Sequence, residues 1–238
     1  MPLRITAFGL SDRGLVRPKN EDTMAVEPSR GIVMVADGMG GAPAGEVASA
    51  MAVQEVCRGF HAGEEMKDAV LRANLKIWEM AQSQPAFRGM GTTLTALRIS
   101  TESGAFEVGH VGDSRAYRLH GDTLIQLTLD HTAVMALVED GVLSPEAARN
   151  HPMGHVLSRA LGTAEEVEVD ILLGVAEAGD RFLLCSDGLI RVMEDAELEE
   201  RLLAAVGRNP EKLVRGIVEE AKLRGAPDNV TVAFLTVD

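Results

Sequence analysis

Apolar residues along this chain change period several times, and each change marks an element. Residues 3–10 (LRITAFGL), 23–28 (TMAVEP) and 31–37 (GIVMVAD) are short apolar runs that predict strands, with a hairpin-type turn at residues 28–31. From 44 to 60 the period becomes helical: Val47, Ala50, Met51, Val53, Cys57 and Phe60 follow helical spacing, and residues 64–83 repeat the pattern before Pro85. Strands at short spacing follow at 91–100, 105–113, 114–120 and 123–128, with Gly104 and Gly121-Asp122 as turns. Two short helical pieces are predicted at 131–140 and 145–150, the second with Ser144 as cap and Pro145 as first helical residue. Strands return at 167–173 and 180–187. Two closing helices precede the last strand at 229–237. The second of them opens at Asn209-Pro210, buries Leu213, Val214, Ile217, Val218 and Ala221, and stops at Gly225.

Strands that follow one another without helices between them argue against a doubly wound parallel sheet. Clustered strands with paired helices predict an α+β fold, antiparallel sheets covered by helices. At 238 residues the chain reads as one domain, 1–238, with residues 131–166 as an excursion that lacks strand character. Aromatic residues make up only 3%, so the core must rest on Leu, Val, Ala and Met. Cys57 and Cys185 are the only cysteines, and both sit in apolar runs; they read as buried free thiols, with no zinc-type pairing. The N-terminus lacks a signal-type apolar core, and no apolar stretch reaches the ~20 residues of a membrane span, so the cytoplasm is the expected compartment. A net charge of −13 disfavours nucleic acid or an anionic membrane as partner. A phosphorylated substrate would have to be drawn by local positive charge. Part of the acidity, at residues 194–201, reads as an exposed helix face.

The chemistry is concentrated where apolar runs end. VMVADGMGG (33–41) and FLLCSDGL (182–189) end in Asp-Gly, PDNVTVAFL (227–235) begins with an aspartate, and RPKNED (17–22) adds an acidic pair. Asp-Gly at a strand end sets a carboxylate on a rigid rim. Carboxylates without cysteine or histidine among them suit a hard divalent cation such as magnesium or manganese. Each motif alone is a common turn; together they point to a metal-assisted hydrolase.

Taken in order, RPKNED, VADGMGG, AGEVAS, GTT, GHVGDSRAYRL, QLTLDHT, HVLSRALG, CSDGL and APDNVTV resemble the bacterial type 2C (metal-dependent, PPM) serine/threonine protein phosphatases over residues 8–236. The resemblance implies two packed antiparallel β-sheets flanked by pairs of α-helices, with two Mn²⁺ or Mg²⁺ ions at one end. It implies hydrolysis of phosphoserine and phosphothreonine in proteins by a water or hydroxide shared between the metals. Asp37 would bridge the metals and the Gly38 carbonyl would ligate one of them. Asp187 and Asp228 would be the remaining direct ligands, and Asp22, with Glu21 as an alternative, would hold metal-bound waters. Asp113 would serve a third, weaker metal. Arg17, five residues before Asp22, would grip the phosphate.

Two positions depart from the family. Relatives keep a histidine where this chain has Met39 or Ala42, so His131 and His155 are the nearest substitutes as proton donor; each also reads as a surface or turn histidine. Arg191 stands where relatives often have an acidic or amide residue, and a cation there would weaken a nearby third metal. Residues 131–160 resemble the family's flap, which either selects substrate or serves as a helical cover. The implied partners are phosphorylated proteins, a serine/threonine kinase among them, and the chain is expected to act as a monomer. The rival reading is a non-catalytic member that binds a phosphoprotein or another partner.

Overall fold

Alternation along the strands explains how this chain stacks into layers. In the computed structural model, which describes residues 2–39, 44–144, 147–148, 151–205, 207 and 209–238, strand β3 (Ile32–Met39) turns Ile32, Met34 and Ala36 to one face and Val33 and Val35 to the other. The first face packs on helices α1 (Gly45–Ala62) and α2 (Met66–Ser83). The second packs on another sheet. Each face therefore belongs to a different apolar layer.

Strands β1 (Ile5–Asp12) and β2 (Asp22–Glu27) precede β3. After α2 come β4 (Gly91–Thr92), β5 (Leu94–Ile99), β6 (Ala105–Val111), β7 (Arg115–His120) and β8 (Thr123–Gln126). Helix α3 (Ala133–Glu139), β9 (Asp170–Val175), β10 (Arg181–Cys185), the short helix α4 (Asp187–Ile190), helices α5 (Asp195–Ala204) and α6 (Pro210–Leu223), and β11 (Val230–Val237) complete the order. One sheet runs β1-β11-β10-β7-β8; the other runs β2-β3-β5-β6-β9, with β4 paired to β3. The pairings within both sheets are antiparallel. Between the sheets lie Val35, Leu97, Val108, Phe182, Leu184 and Leu235, with Phe106 and Phe182 edge to face at 5.2 Å. Each such fully buried side chain stabilises the fold by roughly 1.5–3 kcal/mol. Helices α5 and α6 cover the outer face of the first sheet through Leu198, Leu202, Val214, Ile217 and Val218. The layering is the expected α+β sandwich, helices on both outsides.

Several expectations shift in detail. Helix α1 buries Ala48, Ala52 and Val56 completely, whereas Val47, Met51 and Cys57 are only partly covered. Small side chains let this helix lie close to the sheet, so alanine carries the contact that larger residues suggested. Cys57 is accordingly half-buried, and Cys185 is buried; both are free. The 91–100 run splits into β4 and β5. The turn at 28–31 is a single 3₁₀ turn, Pro28–Arg30, closed by Gly31 at φ +66°. Strand β9 begins at Asp170 because β6 sets its register, Asp170 opposite His110, and it leaves Leu173 and Val175 exposed at the sheet edge. Of the helical piece at 145–150, only residues 147 and 148 are described, and they are helical. Within residues 194–201, Leu198 is buried, so that face is not wholly solvated.

Asn74 fastens α2 to the segment before β9. Its side-chain amide donates to the carbonyls of Ala164 and Glu165 at 3.2 and 2.9 Å, and its oxygen accepts from Gly162 N–H at 2.8 Å. The side chain is buried, so its loss strands backbone polar groups away from water. Asn74→Ala is expected to lower unfolding free energy by about 2–4 kcal/mol in urea titrations; a loss under about 1 kcal/mol would show that water replaces these bonds.

Candidate metal centre

The antiparallel pairing of β2 and β3 sets Asp22 directly opposite Asp37. Both sit at the end of the sandwich where β3, β6 and β10 finish and β2 and β11 begin. Asp113 follows β6, Asp187 follows β10, and Asp228 precedes β11. Topology therefore delivers five aspartates from five segments to one end. Their mutual influence is direct: after burial itself, Asp22, Asp187, Asp113 and Asp228 each push up the pKa of Asp37.

Backbone contacts hold these residues in place. Asp37 N–H donates to Thr93 Oγ1 at 2.9 Å, and its carbonyl accepts from Thr93 N–H and Thr92 Oγ1, each at 2.9 Å. Thr93 Oγ1 and Ser114 Oγ lie 2.7 Å apart, so the Gly91-Thr92-Thr93 turn links Asp37 to the residue after Asp113. Gly38 is pressed between two neighbouring backbones: a Cβ there would stand 2.2 Å from Gly45 O and 2.5 Å from Glu21 O. Its glycine identity thus has a packing reason in addition to any approach to a cation. Gly188 is similar, since a Cβ would stand 1.9 Å from Asn229 O. That contact binds the start of α4, and with it Asp187, to the Asp228-Asn229 step.

Asn229 is a residue that sequence reasoning missed. Its amide nitrogen donates to Arg13 O and Lys19 O at 2.8 Å each, and its oxygen accepts from Glu21 N–H at 2.9 Å. It pins the loop that carries Arg17. Ser186 and Thr231 were also missed: both hydroxyls donate to Asp22 Oδ2, at 2.8 and 2.6 Å. The signals available were their positions beside Asp187 and in the PDNVTV string.

The other oxygen of Asp22, Oδ1, is buried and has no hydrogen-bond donor among the described residues. Burial, eased by those two hydroxyls and aggravated by Asp187, moves Asp22 up to about 6. Burial and then Asp187 and Asp130 move Asp113 up to about 7. Asp37 is raised well above the usual carboxylate range by burial and its acidic neighbours. Glu21 is raised as well, by burial and then by Glu46. This pattern belongs to carboxylates crowded in a dry place with too little positive charge.

Positive charge reaches the cluster from one side. Arg17 Nη2 lies 2.7 Å from Asp228 Oδ2. Arg191 reaches Asp187 Oδ2 with Nε at 3.0 Å and Nη2 at 2.5 Å, and Asp228 Oδ2 at 3.9 Å. Among the described residues, no three acidic, imidazole or thiol side chains are drawn together into a finished cation cage. Asp187 and Asp228 are turned onto guanidiniums. The all-oxygen donor set, the buried Asp22 oxygen without a hydrogen-bond donor among the described residues and the raised carboxylate pKa values nevertheless fit hard divalent cations.

The histidines behave differently from expectation. His131 is buried: its Nδ1 accepts from Gly112 N–H at 3.1 Å and its Nε2 pairs with Asp170 Oδ2 at 3.0 Å. It fastens the start of the 131–160 segment to the turn before Asp113 and is committed to that role. A Thr132–Leu157 bridge closes the base of the segment. His155 is exposed, Met39 ends β3, and Ala42 lies outside the described residues.

The chain belongs to the protein phosphatase 2C family, whose profile matches residues 18–215. It is 39% identical over 234 residues to the serine/threonine protein phosphatase PstP of Mycobacterium tuberculosis, a match covering 95% of this chain and 44% of that protein. The chain therefore spans less than half the length of that relative. It is also 39% identical over 238 residues to the serine/threonine phosphatase stp of Listeria innocua, covering 94% of this chain and 93% of that one. Among solved structures, the catalytic domain of PstP in complex with two manganese ions superposes with a TM-score of 0.86 at 36% identity, covering 99% of both chains.

Asp22 carries a pH prediction for the cation-free protein. Its folded value, about 6, lies above the ordinary 3.8. The stability it contributes is complete below about pH 4 and is lost as pH rises through about 6. Asp22→Asn cannot ionise, so in chelator the variant should match wild type near pH 4. It should exceed wild type by about 1–3 kcal/mol at pH 7.5. Melting temperatures measured across that range check this; a difference that does not grow with pH would place the Asp22 carboxyl in a wetter environment.

Proposed function

We propose that this chain hydrolyses phosphoserine and phosphothreonine in proteins with two divalent cations, Mn²⁺ or Mg²⁺. The observation that carries the proposal is the convergence of Asp22, Asp37, Asp113, Asp187 and Asp228 on one end of a phosphatase 2C sandwich, with a buried Asp22 oxygen left bare. The two manganese ions in the PstP catalytic domain support the metal assignment.

In this reading Asp37, the Gly38 carbonyl, Asp187 and Asp228 would hold the two cations, with Asp37 shared by both. Asp113 serves a third, weaker site. When bound, the cations supply an activated water and offset the charge of the phosphoryl group. The chain's own residues do the rest. Arg17, half-exposed at the mouth, can grip two phosphate oxygens at once and hold the group in line for attack. Asp22 Oδ1, free of partners, can accept a hydrogen bond from a water and orient it. Ser186 and Thr231 hold the Asp22 carboxylate and Thr93 holds the Asp37 backbone, so that little rearrangement remains. The 131–160 segment, rooted beside Asp113 through His131, is placed to select among phosphoproteins. We assign the substrates to cytoplasmic signalling proteins, a serine/threonine kinase among them; the relatives' names, serine/threonine phosphatases, support the phosphoprotein class.

Turnover of a phosphothreonine peptide should require added Mn²⁺ or Mg²⁺ and vanish in EDTA. Asp37→Asn and Asp228→Asn should each lower kcat by orders of magnitude with circular dichroism unchanged. Full activity in chelator would defeat the metal reading, and cation binding without any turnover would favour the non-catalytic alternative.

Arg17→Ala should lower kcat/KM on the peptide by about 2–4 kcal/mol in transition-state free energy, with the residual rate still metal-dependent. A change below about threefold would make Arg17 a surface residue with no part in phosphate binding.

A further inference from the structure

The acidic cluster is electrically lopsided. On the β2–β3 side, Asp22 and Asp37 face each other, and Asp22 Oδ1 has no hydrogen-bond donor among the described residues. On the α4–β11 side, Asp187 and Asp228 each hold a guanidinium. The first of these pairs is built into the local fold. Asp187 opens α4 and Arg191 closes it, so the two are four residues apart on one helical face. Both Nε and Nη2 of Arg191 converge on Asp187 Oδ2, at 3.0 and 2.5 Å. Nη2 also comes within 3.9 Å of Asp228 Oδ2. Asp113 and Asp37 face the same space, and Arg17 adds its charge from the mouth.

A guanidinium and a divalent cation cannot share one carboxylate oxygen without strong repulsion. We propose that Arg191 is a built-in competitor for the cation at Asp187, making that side of the centre the weaker and later to fill. The inference rests on the two-cation reading above. When the ion binds, the Arg191 side chain must leave Asp187. It is 40% exposed and has solvent to turn into. An ion pair closed about nine-tenths of the time lowers apparent affinity about tenfold, because only the open fraction binds. Arg191 would thereby make occupancy of the centre a graded response to free divalent ion, with the β2–β3 side filled first. Before binding, the same arginine offsets repulsion between Asp187, Asp228 and Asp113.

The test is Mn²⁺ binding, read without turnover. Metal-free wild type, Arg191→Gln and Arg191→Lys are titrated with Mn²⁺ by calorimetry, with free Mn²⁺ counted by electron paramagnetic resonance. Wild type should show a tighter and a weaker class of site. In Arg191→Gln the weaker class should tighten on the order of tenfold while the tighter class moves less than about twofold. Arg191→Lys, which keeps the charge and loses the fork, should fall between them. The metal-free melting temperature of Arg191→Gln should drop, and its gain on adding Mn²⁺ should exceed that of wild type. An unchanged weaker class with an unchanged metal-free melting temperature overturns the proposal. Equal tightening of both classes also overturns it, since that is long-range charge removal without local competition. If Arg191→Gln does not fold without metal, Arg191→Lys against wild type carries the comparison. Failure of wild type and variants alike to bind Mn²⁺ would overturn the two-cation reading itself, a different result from equal binding by all three.

Discussion

Crowded carboxylates at the dry end of an apolar sandwich are the constraint on which the rest of this structure depends. A buried carboxylate loses its hydration, and each neighbouring carboxylate makes ionisation harder still. Asp22, Asp37 and Asp113 all show that burden. Only positive charge brought to the cluster relieves it, and the chain supplies that from one side alone, through Arg17 and Arg191. The other side, with an Asp22 oxygen that no described residue bonds, is suited to the proposed hard cation or to a water it holds.

Such a cluster can persist only on a scaffold that does not yield. Three apolar layers supply the rigidity: helices on one sheet, sheet on sheet, helices on the other. Close backbone approaches convert it into position. Gly38 lies against Gly45 and Glu21, and Gly188 lies against Asn229, so a side chain at either glycine would push apart the segments that carry the acidic cluster. Asn229 does the same work with hydrogen bonds, tying three points of the 13–21 loop to the start of β11. Repulsion among the aspartates is thus met by contacts that lie just outside them.

The strand that ends at Asp37 and the one that begins after Asp228 could be read from the chain because a long apolar run meets an aspartate abruptly, and apolar runs of that length have few alternatives to a buried strand. Helix α1 was readable as a helix and its buried face only in part: Val53 and Phe60 are buried as read, but Ala48 and Ala52 carry little hydrophobic signal and are buried for being small. Helix α4 was invisible for a different reason: at Asp187–Ile190 it is too short for any period to show. With it went the partnership of Asp187 and Arg191, which exists only because those residues share a helical turn. Ser186, Thr231, Asn229 and His131 are polar and buried, a combination that depends on partners far along the chain and leaves no local mark. Asp113 sits between these extremes. The family resemblance implies a metal-side role for Asp113, but its placement beside the other acids follows from the Thr93–Ser114 link.

The arginines connect the centre to its substrate. In the cation-free protein, Arg17 is spent on Asp228, the carboxylate proposed as a metal ligand. A guanidinium so engaged is not fully available to a phosphate. In the proposed enzyme, a cation that takes over Asp228 therefore also frees Arg17, and phosphate and cation should each strengthen the binding of the other, since coupling between two sites is reciprocal. That coupling answers a difficulty set by the chain's net charge of −13. The field of the whole protein repels a phosphoprotein, and the site end gathers five of its carboxylates in one place. Once cations are held, the same end carries fixed positive charge and an arginine released toward solvent. Local attraction at the mouth, within a Debye length of ~10 Å, then outweighs the screened field of the distant surface.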